Sequence, residues 1–245
     1  MKEIIIAKDS DELNKIAAEK IVSIARQAIA ESDKFTVALA GGSTPKSLYK
    51  LLASEEFLSQ IDWRKVFFFF GDERNVLPDA DESNFRMANE SILKPLQILP
   101  ENIFRLQTEI RDTEKIAEDY EKTIVKFFGL EKNEFPRFDL ILLGMGDDGH
   151  TASLFPHTRA LRETEKIAVV NYVEKLDTTR LTLTFPVINN ASNIIFLIGG
   201  AGKANVLKEV LEGEAQPEKF PSQNVAPVNG DLFWLVEREA ARLLK

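Results

Sequence analysis

Short apolar runs alternate with longer segments of helical period along the 245 residues of this chain. The runs are rich in β-branched and aromatic residues, which fit a pleated and buried surface. They predict nine strands: Glu3–Ala7, Phe35–Ala40, Lys65–Phe70, Ile103–Leu106, Phe138–Leu143, Ile167–Val173, Arg180–Phe185, Asn193–Ile198 and Leu232–Val236. Elsewhere, apolar residues recur every three or four positions, which predicts five helices: Asp9–Ala30, Pro45–Ala53, Asn84–Leu93, Thr113–Phe128 and Lys203–Glu212.

The alternation of strands and helices predicts the fold class. It is typical of an α/β protein with three α/β/α layers, in which helices cover both faces of a mostly parallel, Rossmann-like sheet. The run Val66–Phe70 is apolar at every position, as expected for a central strand. No repeat or linker-like segment interrupts the chain. We therefore expect residues 1–245 to form a single domain, with Pro217–Pro227 as a surface loop inside it.

Residues at the predicted helix ends agree with these boundaries. Asp9, followed three residues later by Glu12, reads as a variant of the capping box that begins a helix. Gly129 and Gly213 stand where C-terminal caps belong.

The composition narrows the possible partners and chemistries. A net charge of −8 makes nucleic acid or an anionic membrane an unfavourable partner. The absence of cysteine excludes disulfides, thiolate catalysis and cysteine-ligated metals. The first residues show no signal-peptide pattern, and no apolar stretch is long enough to span a bilayer. We therefore expect a cytoplasmic protein that acts on a small molecule. The oligomeric state is left open, with a monomer favoured.

Ligands of open parallel sheets bind outside the carboxyl ends of the strands, and four such ends carry unusual residues. The first is the glycine-rich turn Ala40–Lys46. Free amide hydrogens where its helix begins would bind an anion such as a phosphate, with an ordinary capped turn as the alternative.

The second strand end is Asp72-Glu73-Arg74. Charges at the end of a buried strand are costly unless they contact each other or a ligand, so Arg74 either clamps a phosphate or joins a structural ion pair.

The third strand end, Gly144–Pro156, carries the most informative residues. It begins with G-x-G-x-x-G, so a dinucleotide site is an alternative, but the next strand lacks a clear acidic partner at its end. His150 is one of only two histidines in the chain, and the ordinary pKa of histidine lies near neutrality. We expect His150 to be catalytic, with a structural histidine as the alternative. His157 is expected to lie in a surface loop.

The fourth strand end, Ile198–Lys203, is a second candidate anion site with Lys203 as the counter-charge. It is not a P-loop, because Leu197 stands in place of the first glycine and Ala204 in place of the Ser or Thr that holds magnesium. Arg180 begins a predicted strand. If that strand runs antiparallel to the others, Arg180 lies at the edge of the sheet where their carboxyl ends meet; a solvated arginine is the alternative. Neither a G-x-S-x-G elbow nor a histidine cluster for zinc occurs.

Together these segments resemble the 6-phosphogluconolactonase family, and their order and spacing match over nearly the whole chain. The matching segments are Ala38–Pro45, Asp72–Arg74, Ser83–Arg86, Leu143–Pro156 and Arg180–Thr184. The glucosamine-6-phosphate deaminase family is similar, but it continues its histidine motif as H-I-A-F-N-E-P and usually has tyrosine after Asp-Glu. This chain has Phe155 in place of that glutamate and Arg74 in place of that tyrosine, and both differences favour the lactonases. The inserted Leu77 departs from the lactonase pattern and affects the expected shape of one loop.

The resemblance implies hydrolysis of 6-phospho-D-glucono-1,5-lactone to 6-phospho-D-gluconate in the oxidative pentose phosphate pathway, with no metal or cofactor. It also implies that His150 is the general base and that Asp148 orients its imidazole. Amide hydrogens near Gly42 or Gly146, or the Arg74 guanidinium, would stabilise the oxyanion. The implied substrate- and phosphate-binding residues are Gly41, Gly42, Ser43, Thr44, Arg74, Arg180 and Lys203. Deamination of glucosamine 6-phosphate and non-catalytic sensing of a sugar phosphate remain as alternatives.

Overall fold

Nine β-strands and seven α-helices make up the computed structural model, which describes residues 1–245. The strands are β1 Lys2–Ala7, β2 Phe35–Leu39, β3 Val66–Phe70, β4 Asp72–Arg74, β5 Leu140–Leu143, β6 Ala168–Val173, β7 Thr178–Leu183, β8 Asn193–Ile198 and β9 Asp231–Glu237. The helices are α1 Ser10–Ser32, α2 Ser43–Leu52, α3 Asn84–Ala88, α4 Thr113–Phe128, α5 Phe185–Asn189, α6 Ala204–Glu212 and α7 Arg238–Ala241.

Six strands form a fully parallel sheet in the order β1-β9-β8-β5-β2-β3. β2 and β5 are buried along their whole length, as expected for central strands covered on both faces. The strand order reverses between them, and they pair only through Val37 with Leu140 and Ala38 with Ile141. Connections leave in opposite directions on the two sides of such a point, so a crevice opens at the carboxyl ends of β2 and β5.

Helices cover both faces of this sheet because successive side chains of a strand point to opposite sides. On β9, Phe233 faces α1, where the Lys20 ammonium lies 3.7 Å from the ring centroid. The next residue, Trp234, faces the side of α6, stacks on Phe196 of β8 at 3.8 Å and lines a cavity with Val210. The predicted α/β/α layering is thereby confirmed. None of the helices is both long enough and apolar enough to cross a membrane.

A second, antiparallel sheet in the order β4-β7-β6 is absent from the prediction. Only Gly71 separates the end of β3 from the start of β4, so the chain passes directly from one sheet to the other. The predicted strand Arg180–Phe185 is wrong at both ends, since β7 begins at Thr178 and Phe185 opens α5. Pro186 explains that boundary, because its fixed φ suits the first turn of a helix.

Three other predicted segments differ from the structure. Ile103–Leu106 forms no strand, since it contributes only one bridge, from Ile103 to Phe68, at the edge of the large sheet. The helix predicted over Asn84–Leu93 continues after α3 as a π-helical turn. The predicted surface loop Pro217–Pro227 buries Phe220 and Ser222 against the segment that follows β5.

The expected helix caps form, with two differences in detail. The Asp9 carboxylate accepts the amide hydrogen of Glu12, while the Glu12 carboxylate accepts that of Lys8 rather than that of Asp9. Gly129 ends α4 in the left-handed conformation with a φ of 64°. Gly213 follows α6 with a φ of −77°, so its role as a cap does not need a left-handed backbone.

Two buried tyrosines hold the carboxyl ends of β2 and β3. The Tyr49 hydroxyl accepts the amide hydrogen of Ala40 at 3.0 Å and donates to the carbonyl of the same residue at 2.9 Å. Tyr120 makes the same pair of bonds to Phe70, both at 2.9 Å. Burial raises the pKa of both phenols well above the ordinary range, which keeps each hydroxyl proton in place for donation. These bonds satisfy strand-end groups that the sheet itself leaves unpaired.

Replacing Tyr49 with Phe removes both bonds to Ala40 and leaves a buried amide and carbonyl without partners. We expect the free energy of unfolding to fall by about 1–3 kcal/mol, measured by urea denaturation. Tyr172→Phe is the matched control, because the Tyr172 ring is exposed and its hydroxyl only contacts the exposed Asp177. Equal losses of stability in the two variants would contradict this account.

Candidate active site

Residues from four adjacent strand ends surround one cleft. Strands β8, β5, β2 and β3 are neighbours in the sheet, and their carboxyl ends lie along the same edge. Two adjoining cavities of about 430 and 280 Å³ share Asp72, Arg74, His150 and Ala152 as walls, and we call them together the cleft. The larger cavity is also lined by Asp148, Lys175 and Arg180, and the smaller by Gly41, Gly42 and Lys203.

The segment after β5 folds into a tight loop that carries His150. The Gly146 amide donates to the His150 carbonyl at 2.8 Å, and the Thr151 hydroxyl donates to the Gly144 carbonyl at 2.8 Å. A Cβ at position 146 would overlap the imidazole ring of His150, so only glycine allows the ring to lie there. Gly149 has a φ of +77°, a conformation that glycine adopts without strain.

His150 and Asp148 form a hydrogen-bonded pair. The Nδ1 atom of the imidazole lies 2.5 Å from Oδ1 of Asp148, which also accepts the backbone amide of His150 at 3.2 Å. An ionised carboxylate only accepts hydrogen bonds, so the proton of the neutral ring resides on Nδ1. Nε2 then carries a lone pair and has no partner in the protein. The ring stacks on Phe155 with the centroids 3.9 Å apart.

Burial sets the protonation state of this histidine. It lowers the pKa of His150 to about 4, because the charged imidazolium is disfavoured away from water. Asp72 opposes the shift, while Lys203 and Arg180 add to it. The ring is therefore neutral near pH 7 and able to accept a proton.

Arg74 and Arg180 face each other across the small sheet. They are directly opposite in the pairing of β4 with β7. Arg74 donates to the carbonyl of Glu82 at 2.6 Å and Arg180 to the hydroxyl of Thr178 at 3.3 Å, and neither forms an ion pair. Burial and the neighbouring Arg74 lower the pKa of Arg180. Like charges opposite each other on a sheet repel, and an anion bound between them would relieve that repulsion.

Two buried carboxylates frame these arginines. Glu73 accepts the amide hydrogens of Asn84 and Phe85, the first residues of α3, at 2.7 and 2.8 Å. Burial nevertheless raises the pKa of Glu73. Asp72 accepts from the Ser153 hydroxyl at 2.7 Å and from the Asn84 side chain at 3.2 Å. These bonds tie β4 to α3 and to the loop of His150, so the segment Asp72–Arg74 has a structural role as well as a place in the cleft.

The first glycine-rich turn presents free amides to the cleft. The backbone N–H groups of Gly42, Ser43 and Thr44 have no acceptor within the chain, as expected at the start of a helix. Gly41 and Gly42 line the smaller cavity, whereas Ser43 and Thr44 line neither cavity. The position of Gly41 also requires glycine, because a Cβ there would overlap the side chain of Asn84.

Lys203 reaches the cleft from the second glycine-rich turn. It lies in the 3-10 turn Ala201–Lys203 that precedes α6, so the predicted helix start is one residue early. Its ammonium lies 2.5 Å from the carboxylate of Asp147, an exposed residue, and the contact lowers the pKa of Asp147. An incoming anion would compete with Asp147 for this lysine.

The structure narrows one candidate and adds two residues. The amide hydrogen of Gly146 itself is bound to the His150 carbonyl, so the predicted oxyanion donor near Gly146 is limited to its neighbours. Phe155, noted in the sequence only for its place in a motif, forms the wall behind the imidazole. Lys175 contacts Asp148 and was missed, because no local motif marks it and the turn between β6 and β7 brings it to the cleft. His157 is exposed and lies outside the cleft, as expected.

Comparison with known proteins identifies the family. A family model described as glucosamine-6-phosphate isomerases/6-phosphogluconolactonase matches residues 8–234, and the chain belongs to this family. It is 43% identical to a 6-phosphogluconolactonase from Synechocystis sp., over 89% of this chain and 88% of that protein. A relative of the same name from Nostoc sp. is 41% identical, over 87% and 86% of the two chains. The solved structure of 6-phosphogluconolactonase from Trypanosoma cruzi superposes with a TM-score of 0.89 at 32% identity and covers 100% of this chain and 97% of that one.

The overlap between a side chain at position 146 and the His150 ring can be tested directly. We expect Gly146→Ala to displace the imidazole and shift the ring resonances of His150 in NMR spectra. Gly144→Ala is the control, because a Cβ at position 144 meets no atom within 4 Å. The exposed His157 serves as an internal reference. Unchanged His150 resonances in Gly146→Ala would refute the requirement for glycine.

Proposed function

We propose that this protein hydrolyses 6-phospho-D-glucono-1,5-lactone to 6-phospho-D-gluconate, the lactone-opening step of the oxidative pentose phosphate pathway. One observation carries the proposal. A neutral imidazole with a free Nε2, fixed by a carboxylate, shares a cleft with two arginines that have no ion-pair partner. A base beside an anion site is what hydrolysis of a phosphorylated lactone requires. The names of the relatives support the same reaction.

His150 acts as the general base in this proposal. Nε2 takes a proton from water as the water oxygen attacks the C1 carbonyl of the lactone. The Asp148 carboxylate holds the ring in the required tautomer and stabilises the imidazolium that forms. The bond from C1 to the ring oxygen then breaks, and the imidazolium returns the proton to that oxygen. The products are a carboxylic acid, which ionises, and a free hydroxyl group.

The positive groups of the cleft bind the charged parts of the substrate. Arg74, Arg180 and Lys203 would hold the phosphate, together with the free amides of the turn Gly41–Thr44. Because the Gly146 amide is already bonded, the oxyanion would be stabilised by the Gly42 amide, another amide near Gly146 or the Arg74 guanidinium. Ser43 and Thr44 line neither cavity, and we assign them a supporting role: their free amides favour an anion near the amino-terminal end of α2.

The site also argues against the alternative activities. Phe155 occupies the position where the deaminase motif carries a glutamate, and its ring packs against His150. No carboxylate is therefore available there to assist the opening of an amino sugar. A passive sensor of sugar phosphates does not need a base held in one tautomer by Asp148.

We also propose that residues 1–245 form one lactonase domain. A single cluster of 64 buried apolar residues extends from Ala7 to Ala241 and supports this view. The monomeric state that the sequence favours stays a prediction. A cytoplasmic location remains a prediction.

Replacement of His150 with Asn should lower the rate of lactone hydrolysis by about 10²- to 10⁴-fold, the typical contribution of a positioned base. The assay uses lactone freshly generated from glucose 6-phosphate and subtracts its spontaneous opening. His157→Asn is the matched control and should retain the wild-type rate. Near-normal turnover in His150→Asn would refute the assignment of the base. Release of ammonia from glucosamine 6-phosphate by the wild-type protein would favour the deaminase instead.

Replacement of Lys203 with Met should raise KM by about tenfold and leave kcat nearly unchanged. The phosphate contact is the same in the ground and transition states, so its loss weakens binding without slowing the chemical step. The substitution costs less binding free energy than a full charge-assisted bond would contribute, because Lys203 must break its ion pair with Asp147 to bind the substrate. Lys208→Met is the control, because Lys208 lies in α6, the helix that follows the turn of Lys203, and forms no ion pair. An unchanged KM in Lys203→Met would exclude this lysine from the phosphate site.

A further inference from the structure

Lys175 is placed in the cleft by the turn between the second and third strands of the small sheet. It lies in the 3-10 turn Glu174–Leu176, which Asp177 ends in the left-handed conformation with a φ of 45°. The Tyr172 hydroxyl donates to Asp177 at 2.6 Å, across this turn. The lysine therefore extends from a short, constrained connection rather than from a long loop.

The two oxygens of Asp148 have different partners. Oδ1 accepts from the ring and the backbone amide of His150, and Oδ2 accepts from the Lys175 ammonium. The same ammonium lies 5.2 Å from the centroid of Phe155, the ring on which His150 stacks. Lys175 thus contacts both groups that hold the imidazole, and it joins the loop after β5 to the small sheet.

We propose that Lys175 is a positioning residue, which fixes the carboxylate of Asp148 and limits the basicity that Asp148 confers on His150. The inference rests on the proposed role of His150 as the base. A carboxylate beside an imidazole favours the charged ring, and an ammonium on its other oxygen opposes that effect. The side chain of Asp148 is only 26% exposed, so this contact is less screened by water than an ion pair on the open surface.

The other charges around His150 do not replace Lys175. They come from every element packed against the ring: Asp147 from its own loop, Asp72, Arg74 and Arg180 from the small sheet, and Lys203 from the turn before α6. Lys203 is paired with Asp147. Arg74 donates to the carbonyl of Glu82 in the loop after β4, and Arg180 donates to the hydroxyl of Thr178 in β7. Only Lys175 contacts the carboxylate that holds the imidazole.

An NMR titration tests the proposal independently of catalysis. The chain has two histidines, so His157→Asn leaves His150 as the only imidazole. In this background we expect Lys175→Met to raise the pKa of His150 by about half a unit to one unit, and Lys175→Arg to restore it. Lys20→Met is the matched control, since Lys20 lies 3.7 Å from Glu3 and 3.7 Å from the centroid of Phe233, far from the cleft. A Lys175→Met titration curve that overlays the parent curve would overturn the proposal.

Kinetics distinguish positioning from direct contact with the substrate. At pH 8, where His150 is neutral in every variant, Lys175→Met should lower kcat by about tenfold with little change in KM. Below neutrality, the fall in kcat/KM should begin at a higher pH than in the wild type, because the imidazolium forms sooner. A raised KM with unchanged kcat would overturn the positioning role. If the wild-type protein hydrolysed no lactone, the proposed function would fail while the titration still decided the role of Lys175.

Discussion

The close approach of the His150 ring to the backbone at Gly146 is the constraint on which the site depends. The ring occupies the space that any side chain at position 146 would fill. This placement brings Nδ1 to Asp148 and sets one face of the ring against Phe155. The bond from the Gly146 amide to the His150 carbonyl then closes the loop. A loop with no regular secondary structure holds the imidazole in one orientation, because the bonds from Gly146 to His150 and from Thr151 to Gly144 close it.

The two sheets contribute different groups to the cleft. The large parallel sheet ends in the loop of His150 and in two glycine-rich turns, which follows from its strand order. The small sheet sets Arg74 opposite Arg180, and an anion bound between them would relieve their mutual repulsion. Asp72 and Ser153 connect the two sides of the cleft. An acidic protein can thus concentrate positive charge at one place, where Arg74, Arg180 and Lys203 lie near the amino-terminal end of α2.

Hydrophobic periodicity predicted most of the large sheet, because strands such as β2 and β5 are buried on both faces and read as continuous apolar runs. It did not find β4, whose three residues are all charged and pair only through the distant β7. His150, Asp148 and the glycine-rich turns could be found because their motifs are local. Lys175 could not, since its contact with Asp148 joins residues 27 positions apart through the arrangement of two sheets.

The segment that follows α6 has a consequence for how this protein tolerates change. Ser222 donates two hydrogen bonds to the Gly149 carbonyl, and Phe220 packs against the same glycine. A stretch that resembles an ordinary surface loop therefore supports the turn that carries His150. Insertions or deletions there would change the position of the His150 ring and not only the shape of the surface. Evolutionary drift in length should consequently be concentrated in other connections of the chain.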